Sequence, residues 1–273
     1  MEPLTETNWK RHLKDPSLER KEKPRINGLT MIIDKGMGVV AFKDLLELAS
    51  EYIDFIKLGF GTAILTPIPV LKQKLNLAKQ HQVQLYPGGT FFEVAYNQGQ
   101  LQHYFHVLRK IGFDWLEISD GTITLDAKDR AQMIREAVSR SFRVITEIGK
   151  KEKGSVTPIP QLVDTFHRDR ESGADYVIVE GRESGKNIGM YNANGDVDTD
   201  YVREIYRQVN PHRIWWECPQ SSQQITILKI GGADANLGNI PMQEILSVES
   251  LRRGLRSDTL FTFGKDIRER SPL

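Results

Sequence analysis

Six times in this chain an apolar, β-branched run ends on a charged residue, with Gly or Pro close behind. The runs are LTMIID (ending at Asp34), YIDFIK (Lys57), WLEISD (Glu117, Asp120), RVITEIGKK (Glu147, Lys150, Lys151), YVIVEGR (Glu180, Arg182) and RIWWECP (Glu217). QLYPGG near Tyr86 and ANLGNI near Asn236 keep the same cadence without the charge. Eight buried strands therefore begin near residues 29, 53, 84, 115, 143, 176, 213 and 235. Continuous apolar runs of this kind are buried on both faces, as in a parallel sheet. Eight of them in 273 residues give the rhythm of a single α/β domain, a (β/α)8 TIM barrel, which typically takes about 250 residues.

Amphipathic segments fill the gaps. Helices are expected over 42–52, 70–82, 101–112, 127–140, 160–174 and 200–210. In the fourth, Met133, Ile134, Ala137 and Val138 recur at helical spacing among charged residues, a pattern that packs one face against a sheet. Gly112 and Gly173 stand where helix C-caps are needed before the next strand. SQQITILKIGG gives a short seventh crossover, and MQEILSVESLRRGLRSD closes the barrel. Residues 1–25 read as a polar arm, either loosely ordered or wrapped across the barrel bottom, 26–262 as the barrel, and 263–273 as a tail.

Several function classes are excluded by composition. Basic and acidic side chains number 37 and 36, so no global field draws the chain to nucleic acid or an anionic membrane; an anionic ligand needs a local cluster. Cys218 is the only cysteine, which leaves no disulfide framework or thiolate metal site. The six histidines fall on the arm, on expected helices or at their ends, against a His-based zinc barrel. No apolar run approaches the ~20 residues of a membrane span, and the N-terminus lacks an apolar signal core. The expectation is a soluble, cytoplasmic protein.

The charged strand ends carry the chemistry, because the carboxyl ends of barrel strands form the catalytic face. Glu117, Glu147, Glu180 and Glu217 arise at similar depths on strands four to seven. Four such carboxylates repel one another unless cations sit between them, and a few carboxylates with retained waters suit Mg2+. Lys150 and Lys151 leave strand five together, and adjacent side chains on a strand point to opposite faces, so one of the two enters the site. Lys57 follows the same logic on strand two. Glycine-rich turns at 59–62, 87–90, 181–189 and 231–239 offer backbone N–H groups to anions, although each alone is ordinary turn chemistry.

Taken in order, these segments resemble the phosphosulfolactate synthase family across about residues 27–262. The resemblance is carried by DKG (34–36), YIDFIKLGFGT (52–62), YPGGTFFE (86–93), EISDGT (117–122) and TEIGKK (146–151). It continues through GADYVIVEGRESGK (173–186), ECPQSSQQ (217–224), ANLGNI (235–240) and LRRGLRSDT (251–259). It implies a Mg2+-dependent barrel enzyme that adds sulfite to phosphoenolpyruvate, giving (2R)-2-phospho-3-sulfolactate, a product that leads to coenzyme M in methanogens and to sulfolactate in some bacteria. By the same resemblance Lys151, matching the second lysine of the family's GKK pattern, is the general acid. Glu117, Glu147 and Glu180 hold the metal, and Lys57, Arg182, Gly232 and Asn239 receive substrate anions. A stress-associated plant branch shares the fold but lacks much of PGGT, GKK and GRESGK; this chain keeps all three. The alternatives are a non-catalytic heat-stress protein on the same barrel or another phosphoenolpyruvate- or phosphosugar-using barrel lyase. GFGTAILTPIPV (59–70) leaves apolar loop surface, from which a homo-oligomer is expected.

Overall fold

In the computed structural model, residues 15–17 and 20–263 are described. Eight parallel strands, β1 (Thr30–Asp34), β2 (Phe55–Leu58), β3 (Gln84–Pro87), β4 (Trp115–Ser119), β5 (Arg143–Ile148), β6 (Ala174–Val179), β7 (Ile214–Glu217) and β8 (Asn236–Ile240), run in the order β3-β2-β1-β8-β7-β6-β5-β4. β1 pairs with both β2 and β8, and β3 stands beside β4 to complete the ring. The chain is a single (β/α)8 TIM barrel. Strand starts fall where the apolar runs place them.

Helices α1 (Val39–Ala49), α2 (Thr62–Leu65), α3 (Ile68–Gln80), α4 (Gly89–Asn97), α5 (Leu101–Ile111) and α6 (Ala127–Ser139) cover the first half of the ring. α7 (Ile159–Glu171), α8 (Thr199–Gln208), α9 (Ser221–Gly231), α10 (Ile245–Arg252) and α11 (Ser257–Phe263) cover the second. The six expected helices form, shifted by up to three residues at their ends. α4 was not expected, because PGGT reads as a turn. It starts inside the glycine pair without a capping side chain, and its TFFEVAY stretch is rich in weak helix formers. Tertiary contacts fix it instead. Gly112 caps α5 at φ 115°, a left-handed conformation that favours glycine.

Alternation along the strands builds two layers inside the ring. The lower layer is aromatic: Phe55 meets Trp115 at 4.8 Å and Trp215 at 5.1 Å between ring centroids, with Tyr86 and Tyr176 around it. Two residues further along the same strands come Lys57, Glu117 and Glu217. The outward residues, among them Ile32, Ile56, Leu116, Val144 and Val177, join the helices in the larger core. The floor is closed from below by Arg252. It is wholly buried and donates to the carbonyls of Leu29, Ala233 and Ala235 at the N-terminal ends of β1 and β8.

The described part of the N-terminal arm crosses this bottom end. Arg20 pairs with Glu249, and Arg25 pairs with Asp54. The rest of the arm, with His12, and the tail from residue 264 lie outside the described residues. Among those described, no helix is long and apolar enough to cross a membrane.

Asp34, the charged end of β1, points outward. One oxygen accepts the Gly36 and Met37 N–H groups, and the other takes Lys74 of α3 at 2.6 Å. The Lys74 ammonium also lies 5.2 Å from the Phe42 ring centroid, so one buried lysine ties α1, α3 and β1 together. Lys74→Met strands a buried carboxylate and should lower unfolding free energy by about 3–5 kcal/mol. A urea melt checks this; an unchanged midpoint would remove the pair from the determinants of stability.

Candidate active site

The carboxyl ends of the strands surround a cavity of about 270 Å³. Lys57 forms its floor. The ammonium lies 2.9 Å from Glu147, 3.1 Å from Glu117 and 3.1 Å from Glu217, with all four side chains buried. Burial alone would strip its proton, but Glu117, Glu147 and Glu217 outweigh that and raise the Lys57 pKa well above the ordinary lysine value. The expected anion-receiving lysine is thus committed to three acids of its own chain.

Each acid then takes a second support. Glu117 accepts the Gly89 N–H at 2.7 Å, placing its charge at the positive end of α4. Gly89 has to be glycine, since a Cβ there would come within 2.3 Å of Ser119 Oγ and 2.8 Å of Glu117 Oε1. Burial pushes the Glu117 carboxyl up to about 7 against the pull of Lys57. Glu217 accepts the N–H groups of Gly181 and Arg182 at 3.0 and 3.2 Å. Glu180 accepts the Arg182 N–H at 2.7 Å, while its Oε2 is buried with no hydrogen-bond partner. Burial, reinforced by Glu147 and Glu217, holds Glu180 well above the ordinary carboxylate range. Glu147 goes the other way: burial opposes its ionisation, but Lys57 and Lys151 hold its pKa well below the usual value.

Glu147, Glu180 and Glu217 each present one oxygen within 4.8 Å of the others. Three hard oxygen donors, with Glu147 Oε1 and Glu180 Oε2 both lacking a hydrogen-bond partner, fit a divalent cation such as Mg2+. Glu117 stands apart from this trio, its oxygens directed to Gly89 and Lys57. Glu217, recognised in the sequence as one of four strand-end acids, takes the third place.

Lys150 and Lys151 diverge as adjacent residues should. Lys150 donates outside the cavity, to the Asp120 and Ile123 carbonyls at 2.5 and 2.8 Å. Lys151 enters the cavity, with its ammonium 3.1 Å from Thr90 Oγ1, 3.3 Å from Glu93 and 3.4 Å from Glu147. Its stem crosses Gly121 so closely that a Cβ there would lie 2.9 Å from Lys151 Cγ and Cε, so a side chain on the DGT segment would displace the lysine stem. Burial opposes the Lys151 charge, yet Glu147, Glu180 and Glu93 raise its pKa above the ordinary value, so the group carries its proton at neutral pH.

Arg182, at φ 59°, lines the cavity and donates to the Lys151 carbonyl at 2.7 Å, joining the β5 and β6 loops. Asn239, at the end of β8, also lines the cavity, and its Oδ1 has no hydrogen-bond partner. Gly232 does not reach it: that residue caps α9 and precedes β8, at the opposite end of the barrel. LRRGLRSDT likewise contributes Arg252 to the barrel bottom rather than a side chain to the cavity. Cys218 is fully buried, and burial pushes its thiol up to about 12, as befits a packing residue. Sequence reasoning missed Thr90 and Glu93 on α4; the available signal was a lone acid inside the apolar stretch FFEVA.

Residues 18–258 match the family model described as (2R)-phospho-3-sulfolactate synthase (ComA). Phosphosulfolactate synthase of Methanothermobacter thermautotrophicus is 43% identical over 244 residues, covering 88% of this chain and 94% of that protein. Phosphosulfolactate synthase of Bacillus subtilis is 36% identical over 255 residues, covering 91% of this chain and 100% of that protein. Among solved structures, 3-hexulose-6-phosphate synthase from Salmonella typhimurium aligns with a TM-score of 0.53 at 14% identity, covering 81% of this chain and 97% of that one, a likeness of fold. With a family match across nearly the whole barrel and two full-length relatives above one-third identity, this chain belongs to the (2R)-phospho-3-sulfolactate synthase family of enzymes.

Proposed function

We propose that this enzyme adds sulfite to phosphoenolpyruvate in a Mg2+-dependent carbon–sulfur bond-forming reaction, giving (2R)-2-phospho-3-sulfolactate in the cytoplasm. The observation that carries the reading is the meeting, in one small cavity, of a protonated lysine and an oxygen trio suited to a divalent cation. The sulfite sulfur attacks the methylene carbon, the alkene electron pair moves toward the substrate carboxylate as an enediolate, and a proton then reaches the carbon bearing phosphate. A divalent cation held by Glu147, Glu180 and Glu217 would supply Lewis-acid stabilisation of that charge.

Every other step belongs to the chain's own groups. Lys151 delivers the proton, and a fixed position on one wall restricts delivery to one face of the carbon, as a single product configuration requires. Arg182 and Asn239 bind substrate oxygens at the rim. Lys57 holds Glu117, Glu147 and Glu217 in place beneath them and supplies positive charge to the floor. Glu117 supports the cavity wall through α4 in this scheme. The volume suits two small anions.

The exposed side chains of Phe60, Ile64, Leu65 and Ile68 on the β2–α3 connection support self-association as a homo-oligomer. Light scattering should give a mass above the 31.2 kDa of one chain. A pure monomer would remove this part of the reading.

With purified protein, ultraviolet absorbance of the enol phosphate should fall only when sulfite and Mg2+ are both present. Exhaustive chelation should abolish the loss and Mg2+ should restore it. Sulfite-independent consumption would point instead to another phosphoenolpyruvate lyase, no consumption at all to a non-catalytic role, and full turnover after chelation to a metal-free reaction.

Lys151→Ala should depress turnover by ~10²-fold or more, the range for a positioned general acid. KM should change less, since Arg182 and Asn239 remain. Lys150→Ala removes the same charge outside the cavity and should be much milder. Equal losses in the two variants, or a greater loss in Lys150→Ala, would refute the assignment.

A further inference from the structure

We propose that Glu93 and Thr90, on the first turns of α4, are positioning residues that aim the Lys151 ammonium into the cavity. The inference rests on Lys151 as proton donor and adds the device that holds it. A lysine has a flexible four-carbon stem, and this one stands at the head of the charged loop KKEKG. Left to itself it would sample many rotamers, and proton delivery to one face of a carbon requires one. Misplacement by about 1 Å can reduce a rate ~10²-fold.

Glu93 supplies the constraint. The residue is 2% exposed, beside Phe92 and Ala95 among the buried residues of α4, and it is absent from the cavity lining. One carboxylate oxygen accepts Ser119 Oγ at 2.5 Å and the Gly121 N–H at 3.0 Å, and faces Lys151 at 3.3 Å. The other accepts the Thr122 N–H at 3.1 Å. A single buried carboxylate thus fixes the end of β4, the loop over which the Lys151 stem passes, and the ammonium itself. Thr90 Oγ1, on the same helix, gives Lys151 a neutral second partner at 3.1 Å. The Lys151 N–H also donates to the Gly121 carbonyl at 3.0 Å, so the lysine and the loop anchored by Glu93 are locked at main chain and side chain together.

A mutant cycle on the full-length chain, assayed with sulfite, phosphoenolpyruvate and Mg2+, tests the idea. Glu93→Gln keeps the shape and one acceptor but removes the charge; Thr90→Val keeps the shape and removes the hydroxyl. Each should lower kcat, by about 10-fold for Glu93→Gln and less for Thr90→Val, with KM within about twofold. In a Lys151→Ala background neither should lower kcat further, because the group they position is gone. Losses that multiply in both backgrounds, a fall expressed chiefly in KM, or wild-type kcat in Glu93→Gln would overturn the proposal. Should thermal melting show that Glu93→Gln does not fold, the Thr90→Val cycle decides alone by the same criterion. Full activity in Lys151→Ala would remove the proton-donor reading and this inference with it. A large loss there, combined with multiplying losses in the cycle, would remove only the positioning role.

Discussion

Everything at the mouth of this barrel depends on one ammonium group. Lys57 lies within 3.1 Å of Glu117, Glu147 and Glu217, all four side chains buried at the base of the cavity. At an effective dielectric constant of about 20, two like charges about 4 Å apart repel by about 4 kcal/mol, so the acids could not share this floor while ionised unless a cation lay between them. Burial of such a group is favourable only when its charge is well compensated. Here the compensation is distributed: Lys57 takes three acids, the N-terminus of α4 takes Glu117, and backbone N–H groups after β6 take Glu180 and Glu217. The site is a charge network first, and its capacity for chemistry follows from what the network leaves unsatisfied.

That residue of unsatisfied charge is lopsided. Lys57 faces Glu117 and Glu147 on one side, and Lys151 faces Glu147 and Glu93 on the other. Glu180, between β5 and β7 with an unpartnered oxygen, has no ammonium of its own. Its raised pKa follows from that neglect: burial and two neighbouring carboxylates act against its charge. The same neglect makes it the natural place for an added cation, which would relieve the repulsion among Glu147, Glu180 and Glu217 at once. A protonated lysine and three closely spaced carboxylates therefore arise from one cause, five acids sharing two ammonium groups.

Much of this was legible because barrel strands alternate. Phe55 and Lys57, Trp115 and Glu117, Ile145 and Glu147, Ile178 and Glu180, and Trp215 and Glu217 are pairs two apart, so a large apolar residue and a charged one point inward at successive levels. Lys150 and Lys151 also diverge as the sequence suggests, although β5 ends at Ile148 and Gly149, at φ 130°, turns the chain before them. Legibility failed where placement depends on the partner rather than the period. GGADANLGN spans both ends of β8, so Gly232 and Asn239, seven positions apart, sit at opposite mouths of the barrel. Asp34 looks like another strand-end acid, yet it faces outward to Lys74. α4 was hidden because its start is fixed by Glu117, 28 residues further along, rather than by a local cap. Glu93 was hidden with it, since its four partners lie on other elements.

The aromatic layer explains why so dense a charge network works at all. Phe55, Trp115, Tyr176 and Trp215 fill the barrel directly below Lys57 with edge-to-face and tilted contacts, and Arg252 closes the backbone carbonyls beneath them. A cavity at the bottom end reaches the underside of Phe55, Trp115 and Tyr176, and the aromatic layer stands between it and the charges above, which interact through a poorly screening medium on that side. The arrangement makes each ion pair stronger and each missing partner more costly. It concentrates the electrostatic demand on the one open side, where a substrate arrives. Arg182, exposed on the loop after β6, and Asn239, buried on β8, both line that open side. The division is physical: the ammonium and the carboxylates that depend on one another lie against the aromatic plug, and the cavity opens above them.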